Sequence, residues 1–134
     1  MFVSDDAIKI TLFWKKTGRN TVRVLSSLDS VGEDEKAKYT KVEFQMRPLN
    51  WKQHNEIQRE ATVERMGQGA EIDWVLYKER KLFKILIGWD IKDDKGQPVP
   101  MNEAMIYKLH PMVAETLLQE FDRVTMLGEE ERGN

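Results

Sequence analysis

Few residues in this chain have types and spacings that could do chemistry. The acidic stretch Asp90-Ile91-Lys92-Asp93-Asp94-Lys95-Gly96 suggests a calcium loop. A hand-type loop places oxygen ligands at alternating positions, a glycine at the sixth and a bidentate glutamate at the twelfth. Counted from Asp90, the third residue is Lys92 and the sixth is Lys95, so the register fails and the stretch reads as an Asp/Gly turn. His54 and His110 are the only histidines and are not at ligand spacing from each other, so each reads as a core or capping residue. Ser26, Ser27 and Ser30 lack a G-x-S-x-G elbow and a base nearby. With no cysteine there is no disulfide, thiolate site or cysteine nucleophile. These residues point to a protein that is not an enzyme, with no catalytic residues, no metal and no cofactor.

Two other groups have the chemistry of binding. Lys15, Lys16, Arg19 and Arg23 form a basic patch beside Phe13 and Trp14, a mixture on which single strands can stack. The competing use is a hairpin surface whose lysines discourage edge pairing. Trp51, Trp89, Met101 and Met105 are candidate partner contacts, since aromatic residues dominate hot spots and unbranched methionine adapts to irregular surfaces. The same side chains serve equally well as core.

The elements that must position these groups follow from periodicity. Ile8, Ile10, Leu12 and Trp14 alternate with Lys9, Thr11 and Phe13, and after Thr17-Gly18-Arg19-Asn20 the alternation resumes at Val22 and Val24. That pattern predicts a β-hairpin. Residues 27–38 read as a solvated loop, and Val42, Phe44 and Met46 give a third strand ended by Pro48. Asn50 stands as the N-cap of a helix over about 50–66, which Gly67 and Gly69 would close. A second helix is expected over 71–87, carrying Ile72, Val75, Leu76, Leu82, Phe83 and Leu86 on one stripe and capped by Gly88, with Trp89 and Ile91 pinning its exit. Pro98 and Pro100 keep the chain extended until Asn102 restarts a helix over about 102–126, with a break near His110 and Pro111 at a first helical position.

The resulting expectation is an α+β fold, a three-stranded antiparallel sheet packed with three to four helices. A chain of 134 residues makes one domain, with a sheet part over about 7–47, a helical part over about 50–126 and a frayed tail over 127–134. The composition is 40% hydrophobic and 33% charged, which excludes whole-chain disorder. A net charge of -2 supplies no global field for a polyphosphate, so nucleic acid is not an expected partner. The acidic opening residues and the lysines within Ile8 to Trp14 are not those of a secretory signal or a spanning helix, and no membrane association is expected.

Two segments, "KVEFQMRPLNWKQHNEI" (41–57) and "LIGWDIKDDKGQPVPMNEAMIYKLHPMVAETLLQEF" (86–121), resemble small morphogenesis proteins of tailed bacteriophages, especially the tail assembly chaperones. The shared parts are Trp89, the Asp93 to Gly96 turn, the Val99-Pro100 step and the Leu109-His110-Pro111 break. The resemblance implies a protein that escorts a tape measure protein or tail tube subunit through apolar helix faces and self-association, in the host cytoplasm. The N-terminal hairpin has no counterpart in that pattern, which leaves a structural subunit of the virion, at the head-to-tail joint, tube or baseplate, as the alternative. A small modulator of nucleic acid or of a host protein is the third reading.

Overall fold

The computed structural model describes residues 1–133, with side chains through Met126, and the expected frayed tail over 127–134 lies outside the residues described in full. The order of elements is β1 (Ile8–Lys16), β2 (Val22–Leu25), α1 (Glu33–Lys36), β3 (Thr40–Met46), α2 (Trp51–Glu60), β4 (Thr62–Arg65), β5 (Gly69–Ile72), α3 (Trp74–Ile85), β6 (Leu86–Trp89), α4 (Glu103–Tyr107) and α5 (Pro111–Gly133). The α+β class expected from periodicity is the observed one. Its main sheet has four antiparallel strands in the order β2-β1-β3-β6, and β4 and β5 form a separate two-stranded hairpin.

Period-two patterning fixes which face of the sheet is covered. Ile10 lies opposite Phe44 and Leu12 opposite Val42, so the apolar positions of β1 and β3 share one face. That face is buried with Leu82, Ile85 and Leu86, and with Ile106, Leu117, Leu118 and Phe121 of α4 and α5, in one core cluster. Helices therefore cover one side of the sheet, while the other carries Lys9, Thr11, Phe13 and Lys15. No buried polar or charged residue interrupts the core among the described residues.

Three expectations about local structure need correction. The fourth strand of the main sheet occupies residues read as the end of a helix. Leu82 to Trp89 is an apolar run that suits either a helical stripe or a buried strand. The chain uses it for both, since Leu86 already has extended φ -80° and ψ 120° and pairs with Met46. Gly88 is consequently a strand residue opposite Gln45 and not a helix cap, and Trp89 lies on the strand opposite Phe44.

The helix expected over 50–66 stops at Glu60, and Ile72 belongs to β5 rather than to the following helix. β-branched Thr62 and Val63 favour a pleated chain, and Gly67 and Gly69 take φ of 79° and 78° in the hairpin turn instead of closing a helix. The loop over 27–38 contains α1, a single helical turn.

Several boundaries follow their sequence signals closely. Asn50 caps α2 through a capping box with Gln53, and Asn102 accepts a hydrogen bond from the Met105 amide at the start of α4. In the Asp90–Gly96 stretch, Asp93 accepts from the amides of Lys95 and Gln97 at 2.9 Å each, and Gly96 has φ 76°. That carboxylate serves its own turn.

Leu117, two turns into α5, is fully buried. Leu117→Ala should lower the free energy of unfolding by about 2–5 kcal/mol, read from chemical denaturation. A loss under about 0.5 kcal/mol would show that α5 is not packed on the sheet.

Candidate functional site

The candidate functional residues are exposed apolar side chains carried by several elements. Trp51 and Trp74 share one local design, each at the first helical position behind a side-chain N-cap. Asn50 accepts from the Gln53 amide at 2.9 Å, and Asp73 accepts from the amides of Val75 and Leu76 at 3.0 and 3.1 Å. These caps fix the backbone and leave the indoles outside the helix packing. Trp51 is 82% exposed, Trp74 63% and the neighbouring Val75 69%. Trp74 is steadied by an edge-on contact with Tyr77, the ring centroids 5.3 Å apart. Met66 at the β4–β5 turn is fully exposed, and Met112 in the first turn of α5 and Tyr107 at the end of α4 are also exposed.

The four anticipated partner contacts are not brought together. Trp51 is exposed at the start of α2, whereas Trp89 is committed to packing. Its ring meets Phe44 edge-on at 6.4 Å, and its Nε1 donates to the Val99 carbonyl at 2.8 Å, tying the extended 98–100 stretch to β6. Met101 is half-buried against the core, and Met105 is half-buried in α4. Trp74 is not one of those four nominated contacts, although Asp73 followed by an apolar helical run is an N-cap signal that marks its position.

An open groove of about 630 Å³ runs between the N-terminal segment and α5. It is lined by Phe2, Ile8, Leu49, Phe121, Val124 and Met126, with His54 and the Lys81–Asp122 pair among its polar lining. Lys81 meets Asp122 at 2.6 Å and Lys78 meets Glu115 at 3.2 Å, joining α3 to α5. The residues anticipated as core or capping histidines separate. His54 is exposed beside Gln58, so the core reading fails for it, and the capping reading fails because Asn50 and Gln53 already close the α2 terminus. His110 is the capping one, since its Nδ1 accepts from the Met112 amide at 3.1 Å and its Nε2 lies 3.2 Å from the Asn20 carbonyl. With Nδ1 accepting, Nε2 carries the proton and donates to Asn20.

The basic patch is divided by the fold. Lys15 pairs with Glu35 at 3.3 Å and lies over the Tyr39 ring, while Lys16, Arg19 and Arg23 are exposed and have no partner among the described residues. Trp14 packs on the core and Phe13 is half-buried, so neither presents a free face beside the cations. Lys38, and after it Lys15, hold the Glu35 carboxyl below the usual carboxylate range through hydrogen bonds. Partial burial and the Glu79 carboxylate raise the Tyr107 phenol. Among the described residues no group of three His, Cys, Asp or Glu is placed to hold a metal ion.

No protein-family model, curated protein or solved structure matches this chain. The surface thus has to be read from its own chemistry.

Two outcomes check these placements. Trp89→Phe removes the bond to Val99 and should cost about 1–2 kcal/mol of stability, against a change within about 0.5 kcal/mol for Trp51→Ala. The reverse order in thermal melts would contradict the assignment. Because the folded Glu35 value is depressed, its contribution to stability is present at neutral pH and is lost as pH falls through the carboxylate range. Glu35→Gln should flatten the acid limb of stability between roughly pH 6 and pH 3, and an unchanged limb would show that the Lys15 and Lys38 contacts do not form.

Proposed function

We propose that this chain is a non-enzymatic interaction protein of the virion-assembly class, similar to the tail assembly chaperones, which holds an apolar helical partner such as a tape measure protein or tail tube subunit. The observation that carries the reading is the pair of capped, solvent-facing tryptophans, Trp51 and Trp74, on a molecule whose core is closed without them. Each cap fixes the backbone beneath its indole, so burying the ring against a partner has only the side-chain rotamers left to order. Exposed Val75 adds apolar area beside Trp74, and exposed Met66 and Met112 are unbranched side chains of the kind that adapt to an imprecise partner. The sequence pattern around Trp89 to Pro111 supplies the link to phage assembly. On this reading the protein works in the host cytoplasm. No helix among the described residues is long and apolar enough to cross a membrane.

A structural virion subunit is the second reading, and it rests on the edge position of β2, whose outer side has no strand neighbour among the described residues. Deletion of residues 27–38, which would bridge neighbours beside that edge, should then abolish incorporation into particles. Normal particles from the deletion would remove this reading.

For the main reading, Trp51→Ala and Trp74→Ala should each weaken binding to an immobilised helical segment of a tape measure protein by about tenfold or more, equivalent to about 1.4 kcal/mol, with the melting temperature unchanged. Binding that survives both substitutions in one chain would refute it.

A further inference from the structure

β1 lies between β2 and β3 in the sheet, so the chain leaving β2 at Leu25 has to cross β1 before it enters β3 at Thr40. Leu25 is opposite Phe13 and Thr40 opposite Trp14, which puts the crossing near residues 13–15. Helices cover the side of β1 that carries Ile10 and Leu12. Lys15 has the opposite parity, and it pairs with Glu35 of the crossing segment, so residues 26–39 lie over the other side of the sheet.

This segment is held chiefly by bonds within itself. The amide of Val31 donates to Leu28, those of Glu35 and Lys36 to Gly32, that of Lys38 to Glu35 and that of Tyr39 to Lys36. α1 within it contains no buried residue. Among the described residues, neither the core cluster nor the half-buried side chains packed against it include any of residues 26–39. One side-chain hydrogen bond among the described residues ties the segment to the sheet. Lys15 Nζ donates to one Glu35 oxygen at 3.3 Å, and Lys38 Nζ holds the other at 3.0 Å. Lys15 Nζ also stands 5.2 Å from the centre of the Tyr39 ring. The Tyr39 hydroxyl is buried without a hydrogen-bond partner, a cost of the closed position that access to water would remove.

We infer that residues 26–39 form a strap latched to the sheet by Glu35, which lifts as a unit when the Lys15–Glu35 contact breaks, while the sheet and its helix layer stay folded. Segments that open separately are those with few buried apolar contacts, and the absence of this one from the core cluster meets that condition. Closed, the strap sets the carboxylate of Glu35 on Lys15, which stands directly opposite Arg23. Phe13 and Leu25, also directly opposed, share that face and are half-buried. Open, Lys15 is left beside Arg23 with no carboxylate between them. The strap therefore occupies the cationic part of this face from within the chain, an autoinhibitory contact.

Hydrogen exchange on the full chain, read at single amides, tests this. At about pH 7 and about 50 mM sodium chloride, Glu35→Gln should speed exchange of the Lys36, Lys38 and Tyr39 amides about threefold or more and leave those of Ile10, Leu12, Val42 and Phe44 unchanged. Lys15→Met breaks the same contact from the sheet side, without touching α1, and should give the same result. Raising the salt to about 500 mM should accelerate the strap amides in wild type and add little in either variant, because salt screens the pair. Strap amides that keep their wild-type rates in Lys15→Met would overturn the inference. So would strap and sheet amides accelerating together, which would show that the segment opens only with the whole fold.

Discussion

The inner face of β1 and β3 must be covered, because Ile10, Leu12, Val42, Phe44 and Met46 make a continuous apolar surface that water would otherwise meet. Leu117, Leu118 and Phe121 of α5, with Leu82 and Ile85 of α3, supply the cover. The rest of the architecture follows from that contact. α3 lies on the sheet and runs directly into β6, so the same apolar run packs the helix and extends the sheet. The long segment from Asp90 to Asn102 then carries the chain to α4 and α5, pinned midway by the Trp89 bond to Val99. His110 finishes the layer by joining the first turn of α5 to the β1–β2 turn.

Once the core closes in this way, what remains outside defines what the molecule can do. Its ion pairs are mostly exposed and contribute little each, so they orient α3 against α2 and α5 more than they stabilise the fold. Of the titratable groups with displaced protonation, Glu35 is lowered by hydrogen bonds from Lys38 and Lys15, and Tyr107 is raised by desolvation and then by the Glu79 carboxylate. Exposed apolar side chains stand at the starts of α2 and α3, and exposed cations stand around the β1–β2 turn.

The parts of this plan that were legible in the sequence are those with one dominant period. Ile8 to Trp14 and Val42 to Met46 alternate cleanly, and their pairing is the sheet's centre. Asn50, Asn102 and Pro111 announce helix starts because capping and proline geometry act locally. Leu82 to Trp89 was not legible, since a fully buried run satisfies helix and strand alike and only its pairing with β3 decides. The β4–β5 hairpin was hidden for a related reason, because Gly67 and Gly69 serve a hairpin turn as well as a helix terminus. Which tryptophans are exposed depends on tertiary packing. Trp89 and Trp51 look alike in sequence, yet one bonds to Val99 across ten residues and the other stands free of the core.

The separation between packing and binding surfaces is the central claim, and the tryptophan indole N–H signals of ¹⁵N-labelled protein test it directly. Titrated with an amphipathic helical segment of a tape measure protein, the Trp51 and Trp74 signals should shift or broaden while Trp89, bonded to Val99, stays in place. Movement of Trp89 with Trp51 and Trp74 unchanged, or no response from any indole, would contradict the account.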